Sequence, residues 1–279
     1  YRSGVSSVFS LRSAFVTVDV SALSSVTLPA APRAPAEVPE PAGPESVEPP
    51  RAVPPAAAPE GRPLPLLELA AWVWLAGGLA LVVGLGNRAI TPDALGPKVH
   101  DHTLVTRHLV EGCPEHFGGF RPVAALAAGV LGTTGVESAE AVRGLVAEVQ
   151  PAMVLAIDAL ASRRCGRVCA TVQLSDTGII PGSGVGNHRA ALNRETLGVP
   201  VFAIGVPTVV DSATLAADIL EESGVEKVDE ERLRGEHDAF MVTTRDIDQQ
   251  VRDLSKVVGY GINWALQDLE IEEMNALLS

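Results

Sequence analysis

The chain has 279 residues, of which 47% are hydrophobic, so it is long enough and apolar enough to build a sizeable folded core. Its formal net charge of −13 argues against direct nucleic-acid binding, because contacts with phosphate backbones need clustered Lys and Arg side chains. Three cysteines, an odd number without paired zinc spacing, predict reduced thiols and an intracellular protein.

Two segments precede the regularly patterned part of the chain. Residues 1–27 form an N-terminal remnant in which residues 15–20 alternate as a peripheral strand would, and they show no secretory signal. Residues 28–64 are rich in Pro and Ala, a composition that predicts a linker or a disordered insert. The remaining residues 65–279 are therefore assigned to one α/β domain.

An uncharged apolar run at residues 69–86 approaches the length of a membrane span. The Gly77-Gly78 pair interrupts this run, and residues 79–83 are typical of a short buried strand that ends in a glycine turn. We therefore expect a helix, a turn and a strand here, and no membrane association.

Beyond this run, short apolar strands alternate with helices. Strands are predicted at 79–83, 123–130, 153–157, 168–174 and 201–206, and helices at 99–111, 139–149, 209–222 and 246–266. The alternation predicts an α/β fold, a three-layer sandwich with a mostly parallel central sheet. Ligands and catalytic groups gather at the carboxyl ends of such strands, which singles out residues 87–93, Asp158 and Asp176.

The loop after the first strand of this sheet permits three interpretations. The GLG triplet at 84–86, with Ala89 at the place of a third glycine, weakly matches a dinucleotide-binding loop. Against this, Pro92 interrupts the helix that should point its amides at a pyrophosphate. A helix that begins at Pro92 or Asp93 instead places Asp93 in a first turn, where the helix dipole favours a carboxylate. The loop then holds either a catalytic acid or an acid with no chemical role.

Two further acids follow predicted strands. Asp158 comes directly after an apolar run, so it either caps the next turn or faces a site at the rim of the sheet. Two acids at neighbouring strand ends can share a proton and activate water, which is the chemistry of aspartic peptidases. Asp176 belongs to the Asp-Thr-Gly triplet of pepsin-like peptidases, but those folds are all-β, so a loop-shaping or substrate-side role is favoured.

Residues 180–187, IPGSGVGN, contain three glycines in five positions. They predict either a substrate-binding, oxyanion-facing loop or a plain tight connection. A serine-peptidase interpretation based on Ser183 and His108 lacks the spacing of a nucleophile elbow, and His108 falls inside a predicted helix.

Several motifs occur in one order along the chain. They are LVVGLGNRAITPDALGP at 81–97, TRHL at 106–109, AIDALA at 156–161, SDTG at 175–178, PGSGVGN at 181–187, ETLG at 195–198, PTVVD at 207–211 and MVT at 241–243. This collinear set closely resembles the germination protease family of endospore-forming bacteria, over roughly residues 79–266.

The resemblance implies an endopeptidase that cleaves after glutamate and starts the degradation of small acid-soluble spore proteins at germination. It implies a homotetramer made as a zymogen, located in the cytoplasm of the forespore or spore core, without cofactor or metal. The family is related in fold to hydrogenase maturation peptidases, and its two acids correspond to Asp93 and Asp158. Substrate-binding roles are assigned to Asn87, Arg107, Asp176, Ser183, Gly184 and Asn187.

A basic residue is expected to neutralise the substrate glutamate, and Arg107, Arg163 and Arg189 are the candidates. Two other functions stay open at this point. A metal-sensing maturation peptidase would need a further ligand, such as His, beside the acid pair. A truncated homologue that only binds partners would be favoured by loss of one of the acids.

Overall fold

The structure, a computed structural model, describes residues 78–183, 189–225, 227–229, 232–233, 240–267 and 269–278, and the backbone of residues 16–19. The proline-rich stretch and the helix expected before residue 78 lie outside the described residues. Within the described part, none of the helices combines the length and the apolar character that crossing a membrane requires.

The secondary structure alternates along the chain. The strands are β1 (Val16–Asp19), β2 (Ala80–Leu85), β3 (Val123–Gly129), β4 (Met153–Ser162), β5 (Thr171–Ser175), β6 (Val201–Asp211) and β7 (Met241–Val242). The helices are α1 (Leu95–Asp101), α2 (Arg107–Gly112), α3 (Pro114–Phe117), α4 (Leu131–Thr134), α5 (Ser138–Val149), α6 (Arg194–Leu197), α7 (Ser212–Glu222), α8 (Ile247–Leu266) and α9 (Ile271–Leu278). Short 3₁₀ turns lie at Thr91–Asp93 and Cys165–Arg167.

All the described strands belong to one sheet. Its order is β1, β5, β6, β4, β2, β3, and β7 pairs with the far end of β6. Strands β6, β4, β2 and β3 are parallel neighbours, whereas β1 pairs with β5, and β5 and β7 with β6, in antiparallel fashion. The predicted mostly parallel sheet is therefore confirmed.

Helices cover both faces of the sheet because its central strands are apolar on both sides. On one face, Val82 and Ile157 are buried in a core cluster with residues of α1 and α8. On the other face, Val83 and Val154 are buried with residues of α5 and α6. This arrangement is the three-layer α/β sandwich predicted from the sequence.

The single helix predicted at residues 99–111 is wrong, because the chain is not helical between α1 and α2. The Asn263 side chain of α8 bonds to this connection in both directions. Its Oδ1 accepts from the Leu104 amide at 2.8 Å, and its Nδ2 donates to the His102 carbonyl at 2.8 Å. These tertiary bonds satisfy backbone groups that a continuous helix would pair internally.

Several strand and helix boundaries also differ from the prediction. Strand β4 continues five residues past the predicted end, to Ser162, because its extension pairs with β6. Strand β6 continues to Asp211, so the helix predicted from residue 209 begins at Ser212, where the Asp211 carboxylate accepts from the Thr214 amide at 2.9 Å. Strand β5 begins at Thr171, later than predicted.

Two glycines allow α1 to pack directly on β2. A Cβ atom on Gly84 would overlap the Gly96 carbonyl group. A Cβ atom on Gly96 would in turn overlap the Leu85 backbone and lie 2.6 Å from the Ile157 carbonyl oxygen. Neither position has room for a side chain, so this backbone contact fixes the start of α1 against the end of β2.

We expect Gly96→Ala to lower the free energy of unfolding by about 2 kcal/mol or more, because backbone atoms of two strands would have to move. Gly144 is a matched control, since it lies in α5 and a Cβ atom built there meets no atom within 4 Å. Gly144→Ala is expected to raise stability by about 0.5–1 kcal/mol, because Ala favours the helix. Urea unfolding measures both, and similar effects of the two variants would contradict the close contact.

Candidate active site

Asp93 ends a 3₁₀ turn that follows the loop after β2. The Asn87 amide donates to Asp93 Oδ2 at 2.7 Å, and the Asp93 amide donates to the Ile90 carbonyl at 2.8 Å. Gly86 has a φ of +107°, and a Cβ atom there would overlap the Asp93 carbonyl. The loop therefore folds back on itself at a glycine, and one of its own amides holds the Asp93 carboxylate.

Asn87, one of the predicted substrate-binding residues, lies in the loop that carries Asp93. Its backbone amide holds Asp93, and its side-chain Oδ1 accepts from the Ala89 amide at 3.0 Å. These two bonds close the loop from within, so the structure gives Asn87 a part in shaping the Asp93 turn.

Asp158 lies inside β4, so its predicted position after the end of a strand is wrong. On one side it is opposite Gly205 of β6. On its other side β4 pairs with β2. The last residue pair between these strands is Gly84 with Ile157, and β2 ends at the next residue, Leu85. The Asp158 side chain is 5% exposed. Asp158 therefore sits at the carboxyl end of β2, beside the Asp93 loop, although its own strand continues past it.

The two carboxyl groups are electrostatically coupled. Burial, reinforced by the charge of Asp93, raises the pKa of Asp158 to about 7. The Ala159 amide, which donates to Asp158 Oδ1 at 2.9 Å, and the charge of Arg189 act in the opposite direction. Burial also raises the pKa of Asp93, against the Asn87 amide and Arg189. Asp158 thus keeps its proton up to neutral pH.

The three arginine candidates are in different places. Arg189 is half-buried, and its charge acts on both Asp93 and Asp158. Arg107 starts α2 and pairs with Glu111 at 2.9 Å. It lies at the amino end of the sheet, because the preceding Thr106 amide donates to the carbonyl of the first residue of β3. Arg163 is exposed, just past the end of β4. Only Arg189, of these three, is brought to the acid pair.

A cleft of about 350 Å³ opens on the sheet face to which Asp158 belongs. Leu160, two residues further along β4, lines it together with Gly205 of β6 and Gln173 of β5. Gly205 has no side chain, and Leu160 packs over it. Neither Asp93 nor Asp158 lines the cleft, which includes Gly205, the residue opposite Asp158 on β6, and extends across β6 towards β5.

The loop after β5 supplies the other side of this cleft. Ser183 lines the cleft, whereas Asp176 lies between two lining residues, Ser175 and Thr177, and does not line it. Gly184 and Asn187 lie outside the described residues. His108 is on α2 and does not line the cleft that Ser183 lines, so this cleft does not bring the two residues of the serine-peptidase interpretation together.

Among the described residues, no group of three or more His, Cys, Asp or Glu side chains is placed to hold a metal ion. Cys113, Cys165 and Cys169 are free thiols. Burial raises the pKa of the Cys165 and Cys169 thiols to about 11, so both stay protonated at neutral pH.

Sequence reasoning missed one buried residue beside the acid pair. Thr208 of β6 is 1% exposed, and its hydroxyl donates to the Pro92 carbonyl at 2.7 Å. Thr208 belongs to the PTVVD motif at residues 207–211, so the family resemblance included it. The motif alone does not indicate a bond to the Asp93 loop.

Known proteins resemble this chain in sequence. The family model described as germination protease matches residues 76–223, which include both acids. The germination protease of Clostridium tetani is 46% identical over 226 residues, 72% of this chain and 70% of that protein. The chain belongs to the germination protease family. It is therefore a member of a peptidase family, and its substrates are proteins.

Other relatives give the same family. The germination protease of Bacillus velezensis is 57% identical over 142 residues, 50% of this chain and 39% of that protein. Among solved structures, a NiFe hydrogenase maturation protease from Thermococcus kodakarensis is 16% identical, with a TM-score of 0.39, over 68% of this chain and 92% of that one. The fold class itself rests on the sheet and helices described above.

The raised pKa of Asp158 predicts a pH-dependent stability. As pH rises, Asp158 in the unfolded chain loses its proton near its ordinary pKa of 3.8. In the folded protein the pKa of Asp158 is about 7, so it keeps the proton to higher pH. The unfolded state then binds fewer protons between these values, so stability is expected to fall as pH rises through them, by up to about 4 kcal/mol.

Asp158→Asn should remove this dependence, because the Asn Oδ1 can still accept from the Ala159 amide. We expect the variant to match the parent near pH 4 and to be the more stable of the two above pH 7. Urea unfolding at both pH values measures this, and an unchanged pH dependence in the variant would contradict the burial of an ionisable Asp158.

Proposed function

We propose that this protein is an endopeptidase that activates water between Asp93 and Asp158. The observation that supports it most is the coupling of the two carboxyl groups at the carboxyl end of β2, where the charge of Asp93 raises the pKa of a buried Asp158. A pair with one ionised and one protonated carboxyl group supplies both a base and an acid.

In the proposed reaction, the ionised Asp93 takes a proton from a water molecule whose oxygen attacks the scissile carbonyl carbon. The protonated Asp158 gives its proton to the carbonyl oxygen, which forms a tetrahedral diol. As the diol collapses, one hydroxyl returns its proton to Asp158 and Asp93 protonates the leaving nitrogen, so the C–N bond breaks. Asp93 is again ionised and Asp158 again protonated.

The proposed substrates are small acid-soluble spore proteins, cut after glutamate in the cytoplasm of the forespore or spore core at germination. The name of the relatives, germination protease, supports a role at that stage. The proposed active species is a homotetramer derived from a zymogen. Arg189 is proposed to neutralise the substrate glutamate, because its charge acts on both acids and it is the one of the three candidate arginines found beside them.

We expect Asp93→Asn and Asp158→Asn each to lower kcat about 10²- to 10⁴-fold, because each removes one partner of the proton transfer. Asp253→Asn, which changes a carboxylate on α8 that accepts from Gln249 at 2.8 Å, is the matched control and should keep the parent rate. The assay follows cleavage of a small acid-soluble spore protein, with and without chelator, and circular dichroism verifies the fold of each variant.

Each alternative predicts a different result in this assay. Cleavage that survives either substitution would reject the changed acid as a catalytic group and direct attention to Asp176. Loss of cleavage on adding chelator would favour the metal-sensing maturation peptidase. A parent chain that is folded but does not cleave would favour the inactive homologue.

The proposed role of Arg189 predicts that the effect of replacing it depends on the residue before the cleaved bond in the substrate. Arg189→Gln should lower kcat/KM about 10- to 100-fold for a peptide with Glu before the cleaved bond, since it removes a charge-assisted hydrogen bond. The same variant should hardly change kcat/KM for the matching Gln peptide. Arg107→Gln is the control and is expected to change neither, whereas an equal loss on both peptides would reject charge recognition by Arg189.

A further inference from the structure

Strand β6 has one residue out of register with β4. Leu160 pairs with Pro207, and the next residue, Ala161, pairs with Val209, which leaves Thr208 without a partner on β4. Bulges of this kind redirect a side chain and recur beside active sites. Because the Thr208 side chain is 1% exposed, its hydroxyl needs a hydrogen-bond acceptor within the protein.

The acceptor belongs to the turn that carries Asp93. Thr208 Oγ1 donates to the Pro92 carbonyl at 2.7 Å. This carbonyl and the Asp93 amide are two ends of the same planar peptide group, and the amide donates to the Ile90 carbonyl at 2.8 Å. Both ends of the peptide group that precedes the Asp93 Cα atom are therefore held, one by β6 and one by the loop.

Thr208 is itself held by neighbouring parts of the sheet. The Thr243 hydroxyl, just after β7, donates to the Thr208 carbonyl at 2.6 Å. The Cys169 amide donates to the carbonyl of the preceding Pro207 at 2.7 Å. The bulge is thus held within the sheet, and the Thr208 hydroxyl ties the turn that carries Asp93 to it. The same turn is also bonded to α8, because the Thr91 hydroxyl donates to the Asp248 carboxylate at 2.9 Å.

We propose that Thr208 is a positioning residue for the acid pair, whose hydroxyl fixes the peptide group between Pro92 and Asp93 and so sets the place of the Asp93 carboxylate relative to Asp158. The inference rests on the proposed function of these two acids and extends it to a residue that touches neither the substrate nor the reacting water. A small displacement of a catalytic group is enough to lower a rate, since proton transfer depends on precise geometry.

The test compares Thr208→Val, which keeps the shape of the side chain and removes the hydroxyl, with Thr208→Ser, which keeps the hydroxyl. Thr103→Val is the matched control, because the Thr103 side chain is also buried, with 5% exposed, and its hydroxyl donates to the Val99 carbonyl at 2.9 Å. On a spore-protein substrate, T208V should lower kcat about 10- to 100-fold with little change in KM. T208S and T103V should keep most of the parent kcat.

A second measurement does not require catalysis. The pKa of Asp158 is followed by ¹³C NMR of its carboxyl carbon, since it responds to the nearby charges of Asp93 and Arg189. A freed Asp93 should lower this pKa in T208V, because its charge would on average lie further from Asp158, and T103V should leave it unchanged. A lowered pKa in T208V would support the positioning role even if the parent chain cleaved no substrate, an outcome that would reject the proposed peptidase function alone.

A parent-like kcat and Asp158 pKa in T208V would overturn the proposal. If T208V does not fold, T208A takes its place in both measurements. Failure of both variants to fold, while T103V folds, would show that the hydroxyl serves the stability of the whole domain and would likewise overturn the positioning role.

Discussion

The site depends on the close backbone contact between β2 and the start of α1. Gly84 and Gly96 bring the two elements together without intervening side chains. The loop that connects them must therefore lie at the carboxyl end of β2. Gly86, with its positive φ, then turns the loop so that the Asn87 amide points at Asp93. The first acid is therefore placed by backbone geometry, which depends on residues that have no side chain.

The second acid is placed by a different constraint. Asp158 is fixed by the pairing of β4 with β6, at the point where β2, on the other side of β4, comes to its end. A strand interior offers a carboxylate few donors, here the Ala159 amide, so burial dominates and the pKa of Asp158 rises to about 7. Asp93 is less buried and accepts from the Asn87 amide. The two acids therefore differ in setting, and in the proposed mechanism this difference separates the role of the acid from that of the base.

The sequence was sufficient where local pattern decides the structure. Apolar strands alternating with helices predicted the sheet, and the glycine loop that ends in Asp93 is visible because its special conformation needs glycine at fixed places. The prediction failed where a distant residue decides. Asn263 interrupts the helix predicted at 99–111, and β6 extends β4 past Asp158. Neither partner is adjacent in sequence to the element that it changes.

The same reasoning explains which parts of the candidate site sequence alone could not supply. The sequence did not distinguish among the three candidate arginines. The fold places Arg189 beside the acids, whereas Arg107 pairs with Glu111 elsewhere. Thr208 was missed because a bulge is a property of the register between two strands, and register is set by pairing rather than by the residues of one strand. Roles for the acids came from the family resemblance, whereas their electrostatic coupling required coordinates.

Arg189 connects the proposed recognition of substrate with the protonation of the acids. In the free protein its positive charge opposes the rise in the pKa of both Asp93 and Asp158. In the proposed complex, a substrate glutamate beside Arg189 neutralises much of that charge, and removal of a favourable cation makes both carboxylates harder to ionise. Binding of a substrate glutamate would then favour the protonated form of Asp158 that the mechanism proposes, whereas the Asn87 amide, which donates to Asp93, would have to keep Asp93 ionised as the base. In the proposed arrangement specificity and catalysis would be coupled, because one cation would serve both the substrate glutamate and the acid pair.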